Sequence, residues 1–188
     1  NANDADPALA AGRLLERVHS WIATGGIKES KPAGGGGGSP FNDMPPDGGL
    51  LVGLQVSRGS YAGHRVVKSI QPIFHTGEGI KYGQVHGQPS NKIVEVRAKE
   101  GYAIGGLSVR SGNRVDGMDI IFMRITNHGL DPANVYRSEW IAGQGGGGPT
   151  MLGGDGSAVV GIYGGVGAEF DRVGLILAAP KQADAGSN

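Results

Sequence analysis

Apolar positions along this chain follow two rhythms. Between Pro7 and Thr24, the residues Leu14, Leu15, Val18, Trp21 and Ile22 recur at spacings of three and four, with Arg13, Glu16, Arg17 and Ser20 opposite them. That is the period of an amphipathic helix. Asp6 can cap it, Pro7 suits its first turn, and Gly25-Gly26 stop it. The apolar stripe needs a cover, supplied by its own domain, by a partner chain or by a further domain. The segment Lys28 to Gly38, where Lys-Glu-Ser-Lys-Pro-Ala leads into five glycines, reads as a linker feeding a loop.

After residue 40 the rhythm changes to short apolar bursts bounded by glycine, and it repeats. Val52-Gly-Leu-Gln-Val-Ser-Arg-Gly59, Gly105-Gly-Leu-Ser-Val-Arg-Ser-Gly112 and Val160-Gly-Ile-Tyr-Gly-Gly-Val-Gly167 align without gaps. Gly53, Gly106 and Gly161 share one column, Leu54, Leu107 and Ile162 the next, and Gly59, Gly112 and Gly167 the last. Each copy runs into a second burst: Ser69 to Phe74, Asp119 to Arg124 and Gly174 to Leu177. Burst, glycine turn and burst predicts a β-hairpin. Lys92 to Ala98 and Tyr136 to Ile141 add further strand-like pieces. Three units suit three blades, a trefoil or a prism of three sheets, and propellers begin at about four blades. A closed three-sheet arrangement fits best, with the Leu54, Leu107 and Ile162 column lining its interior and the three hairpin turns gathered at one end.

Composition narrows this picture. The 188 residues fit one ordinary domain with a short appendage. Glycine supplies 37 of them. A glycine inside a helix costs about 1 kcal/mol relative to alanine, so this excess opposes a helical protein. Collagen is excluded because there is no Gly-X-Y period. The 17 basic and 17 acidic residues balance, and no run of Lys or Arg makes a phosphate-tracking stripe, so nucleic acid is not an expected partner. The absence of cysteine removes disulfides and thiolate metal sites and leaves the redox compartment open. No apolar stretch reaches the roughly 20 residues of a membrane-spanning helix. The sequence starts at Asn1 without a basic-then-apolar leader, as expected of a processed product or an excised fragment, and export is the favoured history.

Candidate chemistry lies in two hairpin turns. The third reads Gly167-Ala-Glu-Phe-Asp171 and the second Gly112-Asn-Arg-Val-Asp116, both Gly-x-x-x-Asp in register with the repeat. A carboxylate ending a tight glycine loop accepts two hydrogen bonds while loop N–H groups point into the same concavity, which matches adjacent sugar hydroxyls. The plainer reading is a turn glycine with a turn-capping aspartate. The first hairpin, Ser60 to Lys68, is longer and has no acid, so a third equivalent site is lacking.

Several stretches together resemble the jacalin-related lectins in order and spacing. They are Gly34-Gly-Gly-Gly-Gly-Ser-Pro-Phe-Asn-Asp43, Gly101-Tyr-Ala-Ile-Gly-Gly-Leu-Ser-Val-Arg-Ser111, Arg124-Ile-Thr-Asn127, Gly145-Gly-Gly-Gly-Pro-Thr150 and Val160 to Gly174. The likeness spans about residues 34–178. It implies an all-β fold, the β-prism I of three four-stranded antiparallel sheets with a pseudo-threefold repeat, here preceded by an N-terminal α-helix. It also implies metal-free binding of mannose- or galactose-type sugars, without a cofactor. Carried over from the resemblance, Gly167 opens the binding loop, Ala168 and Glu169 offer backbone N–H groups, Asp171 is the acceptor, and Gly38 stands where the N-terminal glycine loop meets the ligand. A side chain at Gly38 would hold the backbone off the sugar.

Two departures bear on the sugar. Galactose-preferring members carry a free amino group made by cleavage before that glycine, whereas Gly38 follows four glycines in an unbroken chain. They also place aromatics in the loop, where this chain has Ala168 and Glu169. Both favour mannose- or glucose-type ligands, and Glu169 is expected to repel acidic glycans. A second site at Gly112, Asn113 and Asp116 would pair with the glycine stretch around Gly147; otherwise Asp116 caps a turn and Asn113 lines the wall of the first site. A single sugar in so shallow a site binds at about millimolar strength, roughly −4 kcal/mol. Two sites or an oligomer would add avidity.

Enzyme readings find little support. His19, His64, His75, His86 and His128 are scattered without metal-ligand spacing, no serine sits in a Gly-x-Ser-x-Gly elbow, and the five glycines lack the Lys-Ser/Thr of a phosphate loop. Asp116 and Asp171 fall at equivalent repeat positions, which keeps them on separate loops rather than across one cleft. Trp140 and Tyr136 are expected in the core. The chain therefore divides into a helix and linker (1–33), a prism (34–178) and a tail (179–188). The expected function is a non-catalytic carbohydrate-binding domain. The competing reading is an assembly module in a larger complex, with sugar binding lost, that keeps the prism as scaffold and docks a protein partner through the helix Pro7 to Thr24.

Overall fold

The computed structural model describes residues 6–182. Helix α1 (Pro7–Ala23) starts where the Asp6 carboxylate accepts from the Ala8 N–H at 3.0 Å, and it ends at Thr24 before Gly25 turns the chain at φ +80°. The strands follow as β1 (Ile27–Glu29), β2 (Ala33–Gly34), β3 (Ser39–Asp43), β4 (Leu50–Tyr61), β5 (His64–Thr76), β6 (Gly79–Tyr82), β7 (His86–Gly87), β8 (Ile93–Arg97), β9 (Tyr102–Ser111), β10 (Val115–Thr126), β11 (Gly129–Arg137), β12 (Ile141–Ala142), β13 (Gly147–Gly153), β14 (Ala158–Val166) and β15 (Phe170–Ala178).

They form three antiparallel sheets, each a path of four strands: β1-β15-β14-β3, β11-β10-β9-β13 and β6-β5-β4-β8. A two-residue strand joins the long second hairpin strand of each, β2 on β15, β12 on β10 and β7 on β5. The three repeats are thus the three central hairpins β4–β5, β9–β10 and β14–β15. Leu54, Leu107 and Ile162 have no exposed surface and meet in one core with Val56, Val109 and Phe170. The repeat also extends to a backbone irregularity. In all three first strands one residue is skipped in the pairing, Val52, Gly105 and Val160, immediately before the Gly53, Gly106 and Gly161 column. A bulge adds local twist, and one per sheet at the same level helps curl each sheet around the shared interior.

The segment Lys28 to Gly38 is not a linker. Ile27–Glu29 pairs with Ala178–Ile176, and Ala33–Gly34 pairs with Val173–Arg172, so the chain's early strands complete the sheet made by its last hairpin. The cover of the helix is also settled. Ala10, Ala11, Leu14 and Val18 lie in a second core with Leu50, Val52, Ile73, Met123, Val160 and Ile176, at the ends of the hairpin strands remote from their turns. Of the stripe read as available to a protein partner, Leu14 and Val18 are buried on the chain's own prism, while Leu15, Trp21 and Ile22 pack against the same core and stay half-buried. Tyr136 packs against the interior and stacks on Phe122 at 4.9 Å, as expected, whereas Trp140 belongs to neither core.

Candidate functional site

Near its turn, each long hairpin bulges a second time, now on the second strand. The pairing passes from Ser57–Ser69 to Arg58–Val67, from Arg110–Gly117 to Ser111–Val115, and from Gly165–Arg172 to Val166–Phe170. The skipped residues are Lys68, Asp116 and Asp171. A bulge re-aims its side chain away from the sheet. Beside each one, the short added strand ends and a loop begins, tied to the bulge through its carbonyl. The Gly35 N–H donates to Asp171 O at 2.9 Å, the Gly143 N–H to Asp116 O at 2.8 Å, and the Gln88 N–H to Lys68 O at 3.0 Å.

At the third hairpin the glycine loop passes directly beneath the carboxylate. A Cβ on Gly38 would stand 2.5 Å from Asp171 Oδ2 and 2.6 Å from the Val166 carbonyl carbon, and Gly38 has φ +75°. Gly37 lies next to the same carboxylate, and Arg172 Nη1 donates to the Gly37 carbonyl at 2.7 Å. Across the turn, the Gly167 N–H closes on Glu169 O at 2.9 Å. The Ala168 and Glu169 N–H groups and the Asp171 carboxylate have no hydrogen-bond partner among the described residues. Two turn N–H donors and a two-oxygen acceptor beside the glycine loop are therefore unspent, the hydrogen-bonding set that a vicinal diol calls for.

The second hairpin has the same plan with a deeper acid. A Cβ on Gly146 would stand 2.6 Å from Asp116 Oδ2, and Gly146 has φ +68°. The glycines that meet this carboxylate are thus Gly146 and Gly145, not Gly147, which lies on β13 opposite Ser111. Arg110 fixes the loop by donating to the carbonyls of Gln144 (Nε, 2.9 Å), Gly146 (Nη2, 3.1 Å) and Gly148 (Nη1, 3.1 Å). The two arginine supports are related by an exchange: Arg110 faces Gly117 across one hairpin, and Gly165 faces Arg172 across the other. Trp140 Nε1 donates to the Gly143 carbonyl at 2.8 Å, so this ring supports the second loop instead of the core.

Asp116 is 8% exposed. Burial is the largest influence on its carboxyl and pushes it above the ordinary 3.8, while Arg114, His64, the Gly112 backbone and Arg110 pull the other way. A carboxyl raised by folding lends its full stability below the unfolded value and loses it as pH rises through the folded value. Asp116→Asn is therefore expected to raise the thermal midpoint at pH 7 and to give no gain at pH 3, measured by calorimetry. An equal gain at both pH values would assign the effect to packing.

Contacts between the turns bring the three hairpin ends together. Arg114 of the second lies over the Tyr61 ring of the first at 3.4 Å. Lys68 Nζ of the first donates to both Glu169 carboxylate oxygens of the third at 2.8 Å. A Cβ on Gly35 would meet Asn113 O at 2.6 Å, so Asn113 does wall the first loop through its backbone. The expected repulsion of acidic ligands by Glu169 is corrected by the Lys68 pair, which neutralises that charge. Lys68 itself was hidden because the first turn is longer; counting back from the second apolar burst, Lys68-Ser69-Ile70 aligns with Asp116-Gly117-Met118 and Asp171-Arg172-Val173.

No protein-family model matches the sequence, and no curated protein does. Solved structures match in shape. The wild-type Malaysian banana lectin superposes with a TM-score of 0.60 at 18% identity, over 82% of this chain and 99% of that one. The chain has the jacalin-type β-prism fold. Artocarpin in its mannotriose complex gives 0.62 at 15% identity, over 79% and 95% of the two chains. A mannose-specific jacalin-related lectin from Morus nigra, in complex with mannose, gives 0.60 at 17% identity, over 81% and 94%. No described helix of this β-prism is long and apolar enough to cross a membrane.

Proposed function

We propose that this β-prism is a non-catalytic carbohydrate-binding module that takes a mannose- or glucose-type hexose at Gly38, Gly167, Ala168, Glu169 and Asp171. One observation carries the reading: the Asp171 carboxylate and the N–H groups of Ala168 and Glu169 all lack partners among the described residues, beside Gly38, where no side chain covers the backbone. A buried turn cap would spend those groups on its own backbone. The mannose-binding character stated for the Morus nigra lectin and the mannotriose held by artocarpin support the choice of hexose. The loop at Gly112, Asn113 and Asp116, with Gly146 beside Gly147, is a second and weaker site, since its carboxylate is more buried. The assembly reading has less behind it, because Ala10, Ala11, Leu14 and Val18 of the helix that motivated it are buried on the chain's own prism.

A glycan array read with the full chain tests this function. Signal on mannose- or glucose-terminated glycans is expected, lost in Asp171→Ala and only reduced in Asp116→Ala. Absence of signal from the unmutated chain on every neutral hexose glycan overturns it.

A further inference from the structure

The charge of this chain is not evenly spread. Its 17 basic and 17 acidic residues cancel overall. Yet the three hairpin turns with their facing loops carry seven basic residues against three acidic ones, Asp116, Glu169 and Asp171. The excess lies on the first repeat, whose turn (57–69) and facing loop (88–93) contain no acid at all. Lys68 occupies there the bulge that holds Asp116 and Asp171 in the other repeats. Its side chain runs over Gly59, where a Cβ would stand 2.6 Å from Lys68 Cγ, and reaches the Glu169 side chain in the wall of the first sugar loop. Arg58 and Lys92 adjoin through the Arg58 N–H and the Lys92 carbonyl at 2.9 Å, and Arg65 follows on the returning strand. Arg58, Arg65 and Lys92 are exposed and form no ion pair with a described residue.

We infer that the first repeat is an anion subsite: it takes a sulfate or carboxylate on a sugar unit neighbouring the hexose held at Asp171. The inference rests on the sugar reading of the Asp171 loop. Replacing the acid by Lys68 exchanges a hydroxyl acceptor for a cation, and the Lys68–Glu169 pair joins the two subsites into one wall. Three unpaired cations in a region without acids attract anions over about a Debye length, 8 Å at physiological salt, which covers an adjoining sugar residue. The ligand class is thus an acidic glycan, with the neutral hexose fixed by hydrogen bonds and the charged neighbour selected by the basic patch.

The test is calorimetric titration of the full chain with mannotriose, sulfated mannotriose and a mannuronate trimer, in about 50 mM and 300 mM NaCl. At least one acidic trimer is expected to bind on the order of tenfold tighter than mannotriose at low salt and to lose most of that advantage at high salt; which one wins separates sulfate from carboxylate recognition. Arg58→Ser with Lys92→Ser, both surface changes, should bring the acidic trimers to the mannotriose level and leave mannotriose unchanged. Equal binding of all three trimers by the parent chain overturns the subsite, as does an unchanged preference in the double variant. Equal competition by a short DNA duplex also overturns it, by showing a surface without sugar selectivity. Acidic-trimer binding that survives Asp171→Ala in full sinks the hexose reading and leaves the basic patch standing.

Discussion

Gly38→Ala is expected to abolish measurable hexose binding at the first loop, a loss of more than tenfold, and to destabilise the fold by over about 1 kcal/mol. Two causes act together. At φ +75° an L side chain is strained, and the added methyl would stand 2.5 Å from Asp171 Oδ2 and 2.6 Å from the Val166 carbonyl carbon. The carboxylate can yield by rotating, but the Val166 backbone is held in the β14–β3 ladder and cannot. Relief therefore moves either the acceptor or the loop, and both changes disturb the groups proposed to hold the sugar. Gly146→Ala is the matched control, since it meets Asp116 Oδ2 at 2.6 Å and the Ser111 carbonyl carbon at 2.5 Å in the second loop. It should cost similar stability while sparing the first site. Titration with mannotriose and thermal unfolding of both variants would check this; first-site affinity within threefold of the parent in a folded Gly38→Ala chain removes Gly38 from the site.

The same position shows what the sequence could convey. Gly38 and Asp171 are 133 residues apart, and only the resemblance to a family paired them; no local pattern does. The repeat columns were legible because three eight-residue stretches align without gaps, each with a glycine directly before Leu54, Leu107 or Ile162 and another at its end. The short strands β1, β2, β7 and β12 were not, since two or three residues carry no period and β1 is wholly exposed. That is why residues 28–38 read as a linker. Trp140 misled for a different reason: its indole N–H needs an acceptor, and Gly143 O supplies one at the rim. Lys68 escaped through an insertion in the first turn, which displaces it from the Gly-x-x-x-Asp count.

The exchange of Arg110–Gly117 for Gly165–Arg172 belongs with these observations. Both hairpins put one guanidinium on loop carbonyls and one bare glycine opposite, although the arginine stands on opposite strands. Such a swap conserves a shape and a set of hydrogen bonds while leaving no conserved column in the repeat alignment. A planar five-donor group can reach the same carbonyls from either strand because its donors fan over several directions. The first hairpin has neither arginine there: Ser57 and Ser69 face each other with hydroxyls 2.5 Å apart, fully buried. Support for a glycine loop is thus absent from the one repeat that lacks both the acid and the glycine run.

Leu14→Ala should lower stability by about 3 kcal/mol, within the roughly 2–5 kcal/mol seen for such core truncations. For a domain of this size that corresponds to a fall of roughly 10 °C in thermal midpoint. Leu14 has no exposed surface, and its side chain lies in the second core, among residues contributed by all three hairpins. A void there loosens the helix and the remote ends of the hairpins together. The turns that carry Asp116 and Asp171 sit at the other ends of the same strands, so the folded variant should bind mannotriose with unchanged affinity at 25 °C. Leu9→Ala is the surface control: Leu9 is 47% exposed, and its loss should stay within about 0.5 kcal/mol. Calorimetric unfolding of both variants decides the matter. A Leu14→Ala midpoint within 2 °C of the parent would detach the helix from the prism and reopen its apolar stripe to another partner; a large fall with intact sugar binding fixes it as the plug of the prism's base.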